Sequence, residues 1–152
     1  DVWVNVFIIA LLPAIGEELC FRSALQNIMI RMTRSPWAGI LITGFLFSLL
    51  HFQFEGFLPR MLLGIILGIL YWYSGSIWTS ILAHFFNNAL QVLVVSYMPK
   101  YVDTNPSIPV LIAVVSLIAT LAILYFYRKI STITYSKVYE VDELTPHNEF
   151  IA

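Results

Sequence analysis

VWVNVFIIALLPAIGEELCFRSALQNIMI, residues 2–30, is apolar enough to enter a bilayer, yet it carries Glu17, Glu18 and Arg22 in its interior. A membrane-spanning helix needs about 20 predominantly apolar residues. An ionisable side chain near the bilayer centre costs about 2.5–3.5 kcal/mol on insertion scales. The run is longer than one simple span. Its first half is uncharged, and Pro13 with Gly16 offers a kink just ahead of the glutamate pair. Charged residues held at that cost are usually functional, or paired with something that is.

The remainder of the chain has the same character. Of 152 residues, 59% are hydrophobic and 11% charged, and the mean hydropathy is +0.82, whereas a soluble domain carries about 25% charge. This is the composition of an integral membrane protein. Long continuous apolar runs do not alternate as barrel strands do, and an open strand leaves backbone groups unpaired in lipid. The fold class is therefore all-α, a polytopic transmembrane helical bundle. With a net charge of −1, nothing points to nucleic acid or to a polybasic membrane patch, and no nucleic-acid partner is expected. The partner implied directly is the lipid bilayer. The single cysteine, Cys20, cannot form an internal disulfide and reads as a small packed residue.

Four further apolar stretches follow at about 37–52, 57–73, 77–97 and 108–127, making about five spans. The second and third are short, so tilting or shielding of their ends by protein is expected. Ser35 or Thr33 can cap the second helix, with Pro36 at its first position. Gly64 and Gly68 on the third have the spacing that permits close helix approach. Interfacial aromatics are expected at Trp37, Tyr71-Trp72-Tyr73, Trp78, Tyr97, Tyr125 and Tyr127. Arg31, Arg34, Arg128 and Lys129 mark one side as cytoplasmic, with Arg60 and Lys100 opposite. Residues 1–130 form the transmembrane core, with its motifs within 10–95, and residues 131–152 a polar, mobile tail holding the solvated His147. The chain begins without Met and reads as the C-terminal part of a longer protein with further N-terminal spans.

Three motifs place polar groups in these helices: Glu17-Glu18-x-x-x-Arg22, Phe47-x-x-x-His51 and His84-x-x-x-Asn88. Glu17 and Glu18 are adjacent, so on a helix they point about 100° apart and cannot do the same job. Glu18 and Arg22 are one turn apart, carboxylate first, the better orientation for an ion pair. That pairing makes burial of Arg22 tolerable and reads as structural support. Glu17 lacks a local partner and is the better candidate for a general base. His84 and Asn88 share a helix face, where two neutral donors can stabilise an oxyanion or, more plainly, hydrogen-bond between helices. His51 alone reads as a satisfied interior histidine; the full set on three helices reads as an enclosed catalytic site. Asn87 points away from Asn88. Gln53, Glu55, Gln91 and Arg60 are interface or loop residues first, substrate contacts second.

In these motifs and their order, the chain resembles the CAAX protease and bacteriocin-processing (CPBP) membrane proteins, also called the Abi family, which include the type II CAAX prenyl endopeptidases. The resemblance covers residues 10–95. It implies an intramembrane glutamic endopeptidase in which Glu17 activates water with help from His51. His84 and Asn88 would form the oxyanion hole, and Glu18 with Arg22 would support the site. No cofactor is implied. The substrate would be a membrane-associated, CAAX-like or bacteriocin-like peptide, or a lipid-modified protein. The family's preceding spans are absent from this sequence, which implies an incomplete substrate cavity. The expected location is the plasma membrane of a prokaryote.

Two rival readings stand beside this one. Glu17, His51 and His84 are the ligand types of a two-His, one-Glu zinc site, although no His-Glu-x-x-His is present. Alternatively the protein is non-catalytic: a bacteriocin self-immunity factor, an assembly scaffold or a proton-coupled transporter. No internal repeat of the kind transporters use is visible. Oligomeric state is not legible.

Overall fold

The computed structural model describes residues 1–100, 109–133 and 137. These form helices with no strand among them. Most of the expected tail, His147 included, lies outside the described residues. Helix α1 is Val2–Thr33, α3 Phe57–Ser74, α4 Ile77–Tyr97 and α5 Val110–Ile130. Each of these four is long and apolar enough to cross a membrane. Helix α2, Pro36–Leu49, has only 14 residues and rises about 21 Å, short of the roughly 30 Å hydrocarbon layer. Five apolar stretches thus become four spans and one helix that stops part-way.

Helix α1 runs through the expected kink without a break. Its turns widen instead, π-helical over Val6–Leu11 and Leu19–Gln26. Pro13 sits in the first turn of the α-helical stretch Leu12–Glu18 between them. Such turns recur at functional sites, and here they bracket the glutamate pair. α1 ends at Arg34 in a left-handed conformation (φ 52°). The Ser35 side chain then accepts from Ala38 N at 3.3 Å, with Pro36 opening α2.

That tight turn makes α1 and α2 antiparallel neighbours. Ile30 lies against Gly39, and Arg22 against Phe47. Counting back along both helices, His51 arrives at the level of Glu17. α3 runs parallel to α1: Arg22 donates to Gly64 O at 2.8 Å and Gln26 to Gly68 O at 3.1 Å, both across 42 residues. Gly64, facing Gly44, also lets α3 meet α2 backbone to backbone. A Cβ on Gly64 would lie 3.1 Å from Gly44 Cα and 3.1 Å from Phe47 Cδ1, and one on Gly44 would lie 3.0 Å from Ile65 N. These neighbours are fixed, so Gly64→Ala and Gly44→Ala are each expected to cost about 1–3 kcal/mol by overpacking. Gly16, with nothing within 4 Å of its Cβ position, supplies the control. Thermal denaturation in detergent should show Gly16→Ala unchanged or slightly stabilised.

The main apolar cluster contains Ile30, Ile40, Ile69, Trp72 and Tyr73, with Leu124 and Tyr127 against it. Trp72 and Tyr73 are therefore core residues rather than interfacial anchors, because this end of α3 faces α1, α2 and α5. Trp37, Trp78, Tyr97 and Tyr125 are exposed, as an interfacial role requires. Cys20 is exposed instead of packed, on the outer face of α1. Ser131 Oγ donates to Tyr73 O at 2.6 Å, joining the ends of α3 and α5. Arg128 and Lys129 thus lie at the same end of the bundle as Arg31 and Arg34.

Candidate active site

The site grows from one helical turn of α1. Glu18 and Arg22 are both fully buried and pair at 3.0 Å (Oε1 to Nη1). Arg22 is held on two further sides, by Gly64 O and by the ring of Phe47, whose centroid is 4.9 Å from the guanidinium carbon. Glycine at position 64 leaves its carbonyl open to a side chain from another helix. A guanidinium in a protein interior needs such neutralisation and hydrogen bonding together.

Glu18 Oε1 also contacts His84 Nδ1 at 2.9 Å. Since Glu18 is the carboxylate partner of Arg22, the imidazole is the donor, and the Nδ1–H tautomer is fixed. His51 is fixed in the same way, because its Nδ1 lies 2.7 Å from Phe47 O, which can only accept. Both rings therefore present Nε2 to the space between them. Glu17 stands in that space: its Oε2 is 3.8 Å from His84 Nε2 and 4.0 Å from His51 Nε2. These separations exceed a hydrogen bond and match groups bridged by one small molecule such as water. Glu17 Oε2 is buried with no hydrogen-bond partner in the chain, while the Glu17 side chain as a whole is 30% exposed. It faces a cavity of about 380 Å³ that His51, His84, Asn88 and Phe47 also line.

The three motifs thus converge, and the two glutamates separate as their 100° divergence requires. Phe47, quoted in its motif without a role, is the packing centre. Its ring meets Phe21, His51 and His84 edge-on at centroid distances of 5.1, 5.0 and 5.7 Å. It fixes both imidazoles and Arg22 at once. His51 lies just past the end of α2 rather than within it, so the shortness of α2 is what brings a loop histidine to the level of Glu17.

Asn87 differs from its expected place, and Gln91 and Arg60 take the second of the two places expected of them. Asn87 lines the same cavity and donates to Asn88 Oδ1 at 3.2 Å, instead of pointing elsewhere. That bond leaves the Asn88 amide hydrogens for another acceptor. Gln91, one turn further along α4, and Arg60, from the first turn of α3, also line the cavity. The spacing of Asn87, Asn88 and Gln91 on one helix could have signalled a shared wall, had the direction of the cavity been known. Nothing local pointed to Arg60. One chemical expectation also changes. With Nδ1–H held by Glu18, a neutral His84 offers a lone pair at Nε2, so donation to an oxyanion requires a proton on both ring nitrogens.

Glu17, His51 and His84 are the side chains a zinc ion would use, and a carboxylate behind a histidine is a common support for a metal ligand. Among the described residues, however, no three His, Cys, Asp or Glu side chains are arranged to hold a metal ion.

A family model described as type II CAAX prenyl endopeptidase Rce1-like matches residues 1–90. These residues contain all three motifs. No curated protein and no solved structure matches the chain.

Proposed function

Because the chain belongs to the type II CAAX prenyl endopeptidase Rce1-like family, a family of membrane proteases, we propose that it hydrolyses a peptide bond with water activated by Glu17. One observation carries the reading: Glu17 Oε2 is buried and unpartnered, with the Nε2 atoms of two tautomer-fixed histidines 3.8 and 4.0 Å away. A water there would be held by Glu17 and His51 and aimed into the cavity.

The chemistry balances with the chain's own groups. Glu17 takes a proton from water as the water oxygen bonds to the scissile carbonyl carbon. The carbonyl electron pair moves onto oxygen, where His84 in its doubly protonated form and the Asn88 amide donate to it. When the tetrahedral species collapses, the C–N bond breaks and Glu17 returns its proton to the leaving amine. Glu18 holds His84 in orientation and balances its charge, and Arg22 holds Glu18. The substrate is a peptide segment at the membrane, CAAX-like or bacteriocin-like, lipid-modified or simply hydrophobic. The plasma membrane of a prokaryote is the setting this reading assigns.

The test is cleavage of a quenched fluorogenic peptide library by the full-length protein in liposomes, run in water enriched in oxygen-18, with and without a strong chelator. Direct attack by water places one heavy oxygen in the new carboxylate. Activity that survives chelation supports the glutamate mechanism. Activity lost to chelation and restored by zinc moves the site to the Glu17–His51–His84 metal reading. If no peptide is cleaved and the biological function survives Glu17→Gln, a non-catalytic immunity or assembly role replaces the protease. Within the protease reading, Asn88→Ala is expected to lower kcat by about 10²–10³ with little change in KM, the usual cost of one oxyanion donor. Steady-state kinetics on the best library peptide checks this split.

A further inference from the structure

The cavity holds one charged group that the hydrolysis does not use. Among the described residues lining it, Arg60 is the only Arg or Lys, and it shares the space with Glu17, Asn88 and Gln91. Its hydrogen bonds all go to neutral acceptors: Nη1 to Gln53 Oε1 at 3.1 Å, and Nη2 to the main-chain oxygens of Gln53 and Glu55. The Glu55 carboxylate, five residues away, is passed over for the Glu55 carbonyl. Arg60 Nε is buried and has no partner in the chain. The residue is also the fourth of α3, and a helix N-terminus is the end whose dipole disfavours a cation. Arg22, whose Nε likewise lacks a hydrogen-bond partner, differs in having a carboxylate of its own within the chain, Glu18 at 3.0 Å, besides a carbonyl and an aromatic ring. A guanidinium fixed in a cavity by neutral groups, with a donor left over, is suited to an anion that arrives from outside.

We propose that Arg60 binds a carboxylate of the substrate and so sets where the peptide lies relative to Glu17. The inference rests on the protease reading and specifies its substrate class as a peptide bearing a carboxylate close to the scissile bond. That carboxylate has two sources, the free C-terminus of a peptide or an acidic side chain. With Nη2 committed to two main-chain oxygens, the group left to meet the carboxylate is Nε–H, a donor that lysine lacks.

The experiment reads binding without turnover, in the full-length Glu17→Gln protein in detergent, by fluorescence anisotropy. The probe is a labelled apolar peptide in three forms: free C-terminal acid, C-terminal carboxamide, and carboxamide with an internal glutamate. The expected result is affinity about tenfold or more higher for a carboxylate form than for the plain carboxamide. Preference for the free acid identifies a C-terminal source, and preference for the internal glutamate a side-chain source. In the Arg60→Gln variant the preference should vanish while carboxamide affinity stays the same; Arg60→Lys should restore part of it. Equal affinity for all forms, no measurable binding of any, or a preference that survives Arg60→Gln overturns the inference. Equal loss for every form on Arg60→Gln also overturns it, since it assigns Arg60 to holding the 53–55 loop. Failure of the protease reading appears separately, as a wild-type protein that binds the acid form and never cleaves it.

Discussion

Glu17→Gln is expected to lower kcat by about 10²–10⁴, the range that general acid–base catalysis supplies, and to leave the fold intact. The amide fills the same volume but neither accepts nor returns a proton. Glu17 Oε2 has no hydrogen-bond partner, the side chain is partly exposed to the cavity, and Arg22 keeps Glu18 as its ion-pair partner at 3.0 Å. The denaturation midpoint should therefore stay within experimental error of wild type. The same substitution one residue later has the opposite signature. Glu18→Gln removes the anion that Arg22 pairs with at 3.0 Å and leaves His84, now 2.9 Å from a carboxylate, only a neutral amide oxygen to donate to. Stability and activity should fall together. Parallel kinetics and denaturation of the two variants test the division of labour. An unstable Glu17→Gln protein, or a Glu18→Gln protein of unchanged stability, would contradict it.

Arg22→Ala carries the largest expected stability loss, about 3–5 kcal/mol, the cost of breaking a fully buried ion pair from one side. The variant strands Glu18, frees Gly64 O and leaves space beside the Phe47 ring. Because Phe47 also packs on His51 and His84, activity should fall as well, although Arg22 does not itself line the cavity. Pairing it with a neutral partner separates charge from packing. In Glu18→Gln/Arg22→Met no buried charge is left unpaired and the volume is refilled, so much of the stability should return. Activity should not, since His84 has lost the carboxylate that orients it. Unfolding in graded denaturing detergent, followed by tryptophan fluorescence, supplies the stability arm. Peptide cleavage supplies the other.

The helices were legible because a bilayer demands long apolar runs, and the candidate site because polar residues interrupt those runs. Glu17, Glu18 and Arg22 could be sorted by helix geometry alone. The position of His51 could not, because it depends on α2 ending at Leu49 and on the antiparallel turn at Arg34–Ser35. Contacts made across the bundle were equally hidden. Arg60 reads as a helix-end residue, and nothing near it in sequence says that the loop will fold it toward Glu17. Trp72 and Cys20 were misplaced for a reason peculiar to membranes. Helices that are apolar all round carry no polar face to show which side meets lipid and which meets protein. The wide turns in α1 leave no mark in residue pattern either.

The constant 42-residue offset between α1 and α3 has a consequence for assembly. Helices already inserted in lipid have no hydrophobic force to tell them how far to slide along one another. Arg22 and Gln26 are spaced by one turn, and so are Gly64 and Gly68. A slip of four residues, about 6 Å, would let Arg22 find Gly68 O but would press Gln26 against Trp72, where a large side chain guards the backbone. The two clamps therefore act as a vernier: they close together at one setting and jam at the next. At that setting Arg22 also meets Glu18 and Phe47, the two residues that hold His84 and His51, so finding the axial position and ordering the cavity are linked.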